Sequence, residues 1–186
     1  MTPGRAMMIG IVACGVVATG ASMLGYDLLP DFGTDPRAGQ TAPFVLLDVT
    51  GKEVADRDLH GSFSLLYFAT SACPERCVLE YDRLIASIAG LGADGVKIRP
   101  VFVSLDPLSG RAARVQETLQ RFDSRTLLLT GSSRQLDAAF RLLDIHATSD
   151  GTGTPAVLLG PDGRVAASVD PGLDETKLTE LLREHL

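Results

Sequence analysis

The chain is poor in the residues that most often announce a partner. Its 186 residues include no tryptophan, three tyrosines and seven phenylalanines. Positive charge is not gathered anywhere: 17 Lys and Arg are scattered among 23 Asp and Glu, for a net charge of −6. With no basic stripe and no aromatics interleaved with one, the sequence argues against a nucleic-acid partner. Three cysteines are too few for a disulfide framework, so one close pair and one remote cysteine fit a redox or metal site better. There is no internal repeat and no low-complexity tract. The length suits one domain with a full core plus an appendage.

What is present centres on Thr70-Ser71-Ala72-Cys73-Pro74-Glu75-Arg76-Cys77. The apolar run Phe63 to Ala69 before it reads as a buried strand, and Val78 to Leu91 after it reads as an amphipathic helix. Cys73 therefore falls at or just before the first helical residue. Pro74 suits the first helical position, where its missing N–H costs nothing. A thiol at a helix start meets the positive end of the dipole and unpaired N–H groups, which favour thiolate. Cys77 lies one turn on, on the same face. Two soft thiolates so placed can hold Cu(I). They can also oxidise to a disulfide across ~6 Å between Cα atoms, near the long end of the usual range, so the bridge should be readily reduced. The plainer alternative is a pair of buried structural cysteines.

From Ala6 to Tyr26 there are 21 residues without a charge, bounded by Arg5 and Asp27. As a helix this stretch spans ~31 Å, about one hydrocarbon core. Arg5 before it and Asp27, Asp31 and Asp35 after it put the N-terminus in the cytoplasm and the rest outside. An uncleaved membrane anchor over 1–26 is favoured over a cleaved signal peptide and over a lipoprotein signal at Cys14. All three deliver the domain to the periplasmic or another extracytoplasmic, oxidising side of the inner membrane. Residues 27–43, with Pro30, Gly33, Pro36, Gly39 and Pro43, read as a linker. The domain is then 44–186.

Within it, Phe44 to Val54 reads as a hairpin turning at Thr50-Gly51, and Asp56 to Gly61 as a short connection with His60 at the surface. Val96 to Ser104 is expected as the next strand, with Pro100 restricting its ladder near the start. Ser109 or Gly110 opens a helix to Phe122, and Thr126 to Leu129 forms a short strand. Ser132 caps a helix through Leu143. Ala156–Leu159 and Val165–Val169 flank a hairpin turn at Pro161-Asp162-Gly163, and Asp174 caps a last helix. Strand–helix alternation followed by a hairpin and a helix implies an α/β domain with a mixed sheet.

Thr70-x-x-Cys73-Pro74-x-x-Cys77 after an apolar strand resembles the signature of the SCO/SenC family. The likeness continues at Val101 to Pro107, Leu129-Thr130-Gly131 and Leu158 to Gly163, in matching order over about residues 42 to 170. The resemblance implies a membrane-anchored, thioredoxin-like mixed sheet flanked by helices, with an extra N-terminal β-hairpin and one preceding transmembrane helix. It implies a role in assembling the copper centre of cytochrome c oxidase, with Cys73 and Cys77 as copper ligands and a respiratory oxidase subunit, or another copper or disulfide protein, as partner. The chain departs from the family at one point. The family's third ligand is a histidine eight residues before the position of Gly160; here that is about Thr152, in Gly151-Thr152-Gly153-Thr154-Pro155.

Losing an imidazole should hurt Cu(II) most, so Cu(I) is favoured as cargo. His146 is the one nearby histidine, read as a solvent-facing loop residue or, less favoured, a replacement ligand. By the same resemblance Pro155 should be a cis proline facing Cys73, leaving adjacent backbone free for a partner chain; an ordinary proline at a strand start is the alternative. Asp106 ends the strand beside the site and reads equally as a proton acceptor or a helix cap. Glu75 and Arg76 read as exposed, with Arg76 favouring thiolate and Glu75 opposing it. Copper handling and thiol–disulfide exchange by Cys73, Cys77 and Pro155 both remain open, as does a redox-sensing or structural module. A peroxidase is less favoured, since that motif needs a proline where Leu66 stands.

Overall fold

The computed structural model describes residues 43–70, 75–106, 110–143, 145 and 156–186. The expected anchor over 1–26, nearly all of the 27–43 linker, and the residues Cys73, Pro74, His146, Thr152 and Pro155 lie outside these residues. Among the described residues no helix is long and apolar enough to cross a membrane.

The chain opens with β1 (Val45–Leu47) and β2 (Glu53–Ala55), antiparallel partners in the expected hairpin. Asp48 builds the turn: its Oδ1 accepts from the Thr50 N–H and hydroxyl and from the Lys52 N–H. These bonds, the Thr50 hydroxyl first, hold its carboxyl below the usual range. A short 3-10 turn follows over Asp56–Leu59.

The main sheet comprises β3 (Phe63–Ala69), β4 (Ile98–Ser104), β5 (Leu127–Leu129), β6 (Ala156–Leu159) and β7 (Val165–Val169). Its order is β5-β4-β3-β6-β7. The pairs β3–β4 and β4–β5 are parallel, while β3–β6 and β6–β7 are antiparallel, so the sheet is mixed, as expected. Four helices connect and cover it: α1 (Glu75–Gly90), α2 (Ala112–Gln120), α3 (Ser133–Leu142) and α4 (Glu175–Glu184).

Alternation along β3 divides the core. Leu65, Tyr67 and Ala69 face one layer with Tyr81, Leu84 and Ile88 of α1, Leu119 of α2, and Leu178 and Leu182 of α4. Leu66 and Phe68 face the other, with Leu46 of the hairpin and Leu136, Ala139 and Leu143 on and just after α3. The sheet is thus sandwiched, and the hairpin shares α3's side. It is tied there by reciprocal bonds between Leu47 and Thr130 at 2.7 and 2.9 Å.

Helix caps follow the expected chemistry. Ser132 and Gln135 form a capping box, and Asp174 Oδ1 accepts from the Lys177 N–H at 3.0 Å. Helix α1 takes in Cys77, as the expected helix start around Cys73-Pro74 implied. Two boundaries differ from expectation. Strand β4 starts at Ile98, because Gly92–Lys97 forms a 3-10 turn in which a Cβ on Gly95 would strike the Ile88 carbonyl. Helix α2 starts at Ala112, because Gly110 has φ +69°, outside the helical region. Pro100 is tolerated in β4 because pairing with β5 begins only at Val101.

Strand β5 lies at the edge of the sheet, and Gln116 of α2 covers that edge. Its Nε2 donates to the Thr126 carbonyl at 2.6 Å, and its Oε1 accepts from the Leu128 N–H at 2.8 Å.

One polar atom in the core is unmatched: Ser64 is fully buried on β3, and its hydroxyl has no hydrogen-bond partner among the described residues. An unsatisfied buried hydroxyl carries a desolvation cost, so Ser64→Ala should raise unfolding stability by up to about 1 kcal/mol. Urea unfolding would check this, and a loss of stability would show that the hydroxyl is satisfied.

Candidate functional site

Register places the site. Ala69 pairs with Ser104 where the parallel strands β3 and β4 end together, and the Leu105 N–H donates to the Ala69 carbonyl at 2.9 Å. Thr70, leading to the cysteine turn, and Asp106 therefore leave the sheet at one edge. The Thr130 hydroxyl, just past β5, points to the Ser104 carbonyl at 3.4 Å at the same edge. The antiparallel strand β6 begins there too, with Ala156 paired to Tyr67. Carboxyl ends of parallel strands are where α/β sheets gather ligands.

Of the expected site residues, Cys77 is described. It is the third residue of α1, half-buried, packed against the core and free of any disulfide. Cys73, Pro155 and His146 lie outside the described residues, and among the described residues no cluster of three or more His, Cys, Asp or Glu could hold a metal. Asp106 is half-buried beyond β4, and its carbonyl accepts from the Ser104 hydroxyl at 3.2 Å. His60 is surface-lying, as expected, with Nε2 3.7 Å from Asp56 Oδ2.

Beneath Cys77 is a polar cluster that the sequence reading passed over. Glu80, three residues on and on the same face of α1, is 4% exposed. Its Oε2 accepts from the buried Tyr67 hydroxyl at 3.0 Å, and its Oε1 from Arg76 Nε at 2.8 Å. The Tyr67 hydroxyl also lies 3.4 Å from the Cys77 carbonyl oxygen. Arg76 and Glu75 are exposed, as expected, but the Arg76 guanidinium is engaged by Glu80. A buried carboxylate needs such partners. The available signal was the position of Glu80 on the stripe shared by Cys77, Tyr81, Leu84 and Ile88.

Cys77 also lines an apolar groove of about 320 Å³ between α1 and α2. Tyr81, Phe102 and Phe122 form its floor, with ring centroids 5.5 and 5.7 Å apart in edge-on contacts. The Tyr81 hydroxyl shares a 2.8 Å hydrogen bond with Thr126. Burial raises the Tyr81 pKa well above the ordinary tyrosine range.

A family model for SCO1/SenC matches residues 33–186. The chain belongs to the SCO1/SenC family. Among curated SCO and SenC proteins, it is 30% identical over 156 residues to the mitochondrial protein SCO2 of Saccharomyces cerevisiae, covering 77% of this chain and 52% of that one. It is 32% identical over 128 residues to protein SenC of Rhodobacter capsulatus, covering 68% and 58%. The chain thus spans about half the length of these relatives. Among solved structures, copper-bound ScoI of Arabidopsis thaliana superposes with a TM-score of 0.67 and 27% identity, covering 80% of this chain and 97% of that one. The thioredoxin-like SCO/SenC fold expected from the cysteine motif is therefore the fold of this domain.

Two outcomes follow for the site. Glu80→Leu leaves the Tyr67 hydroxyl without its carboxylate acceptor and releases Arg76, and should cost about 1–3 kcal/mol in chemical denaturation; an unchanged midpoint would show that the cluster carries no stability. For Tyr81 the folded pKa is raised, so the unfolded state loses its proton first. The stability contributed by this group is complete below about pH 10 and is lost as pH rises beyond it. Tyr81→Phe should therefore flatten the alkaline limb of the stability–pH curve, which unfolding midpoints between neutral pH and pH 11 would measure.

Proposed function

We propose that this SCO/SenC protein handles copper for assembly of the cytochrome c oxidase copper centre, with Cys73 and Cys77 holding Cu(I) as cargo. The observation that carries this reading is Cys77: a half-buried thiol in the first turn of α1, at the sheet edge where β3 and β4 end. The soft donor fits the cargo. Cys73, one helical turn earlier in the sequence, supplies the second sulfur. With threonine at 152 and no histidine in that loop, His146 is the candidate third donor. Copper is bound in the related Arabidopsis structure, which supports the choice of metal. The domain works on the periplasmic or extracytoplasmic side of the membrane, tethered by 27–43 to an anchor over 1–26, and its partner is the copper-bearing subunit of a respiratory oxidase.

The missing histidine favours a second reading, a thiol–disulfide oxidoreductase. The Cys73 thiolate attacks a partner disulfide, forming a mixed disulfide and releasing one partner thiolate. The Cys77 thiolate then attacks the Cys73 sulfur, closing Cys73–Cys77 and releasing the second. Two electrons pass to the partner, and an external dithiol must reduce the pair again. Pro155 would hold the partner chain alongside. The partner could be the oxidase's own cysteine pair, so both readings belong to one pathway.

The test is a Cu(I) titration of the reduced, anaerobic full chain in detergent against a competing chelator, beside a Cys73→Ser, Cys77→Ser double variant. One tightly held equivalent that disappears in the variant is the expected result, with His146→Ala then reporting on a third ligand. Copper left on the chelator by both proteins would overturn the cargo reading and leave disulfide exchange to account for the pair.

A further inference from the structure

We propose that the groove between α1 and α2 is a docking site for a segment of a partner polypeptide that is both apolar and acidic, and that it lays this segment beside Cys77. Its role as a partner site rests on the proposed sulfur or copper chemistry at Cys77; its chemical preference stands on the groove alone.

The apolar half of the argument is shape and lining. Val78 of α1 and Val115 and Leu119 of α2 wall the aromatic floor. A cavity of about 320 Å³ is at the small end of the range for specific ligand sites, room for one or two bulky side chains. Val78, on the groove wall directly after Cys77, is 46% exposed.

The acidic half is charge. The protein as a whole carries −6, yet the charged side chains among the described lining residues are Arg111 and Arg114, with no carboxylate. Both arginines are exposed on the turn before and the first turn of α2. Arg111 has an interaction of its own, so the preference rests on Arg114, whose cation at the rim of an apolar slot favours an anionic occupant. A polypeptide is favoured over a free small anion or an anionic lipid because the slot opens at Cys77 and Thr70, the end of β3. Sulfur exchange or metal transfer there needs a partner's cysteines, and those come on a chain whose neighbouring residues must lie somewhere. The groove is where they lie.

The probes are short fluorescent peptides without cysteine, so binding is read apart from any chemistry: one of Asp, Phe and Leu, one with Lys for Asp, and one with Ser for Phe and Leu. Anisotropy with the full-length protein in detergent should show the acidic-apolar peptide binding about tenfold or more tightly than either control. Arg114→Glu, on an exposed residue and so compatible with folding, should weaken the acidic peptide and strengthen the basic one by a similar factor. Val115→Trp, filling the slot, should weaken both apolar peptides. Equal binding of all three peptides, or indifference to both substitutions, overturns the proposal. So does full competition by anionic lipid vesicles, or self-association that Val115→Trp abolishes, since either names a different occupant. Peptide selectivity in a protein that neither holds Cu(I) nor reduces a small disulfide would uphold the groove's preference while overturning the function proposed above.

Discussion

The parallel pairing of β3 with β4 is the constraint on which the site depends. All seven residues of β3 pair in register with β4, from Phe63 opposite Ile98 to Ala69 opposite Ser104. Two strands that end together release their following segments at one edge. Thr70 and Asp106 leave the sheet at one edge for that reason, although they lie far apart along the chain. A slip of one residue would turn every β3 side chain to the opposite layer and carry Tyr67 away from Glu80. The long apolar faces of both strands make such a slip costly, so the position of the thiol is underwritten by core packing rather than by contacts at the thiol itself.

Helix α1 is fixed by two different kinds of interaction. Its later turns are held by apolar contact with β3 and α4. Its first described turn, which carries Cys77, has the polar cluster of Tyr67, Glu80 and Arg76 in addition to core packing. Polar bonds are directional, and a buried group that loses its partner is penalised heavily. These bonds fix the orientation of the turn, a suitable arrangement for the metal or sulfur contact proposed for Cys77. On the other side of the same sulfur the surroundings are apolar and cationic, so Cys77 stands between a rigid polar support and an open approach.

Much of the fold was legible because its signals are local. The run Phe63 to Ala69, the capping residues Ser132 and Asp174, and the turn at Pro161-Asp162-Gly163 each act over a few residues, and the structure agrees with all of them. The start of β4 was misread because Val96 is apolar and β-branched, yet it sits in a turn set by the close approach of Gly95 to α1 and is 74% exposed. The start of α2 was misread because a glycine's backbone angle does not show in its letter. Glu80 was passed over because charged residues are normally surface residues; its burial needs Tyr67 from a different element. The groove was invisible for the same reason, since its walls, α1 and α2, are separated in sequence by β4. Cys77 itself was legible from the motif and its flanking strand.

The side-chain amide of Gln116 stands in for a strand along the open side of β5, offering one donor and one acceptor where a neighbouring chain would. It belongs to α2, the helix that also forms one wall of the groove. Any movement of α2 that widened the groove would draw this amide away and leave the backbone groups of a short, apolar edge strand unmatched. Such edges template pairing between molecules. Loosening the recess beside the thiol therefore costs the two bonds that cover this edge.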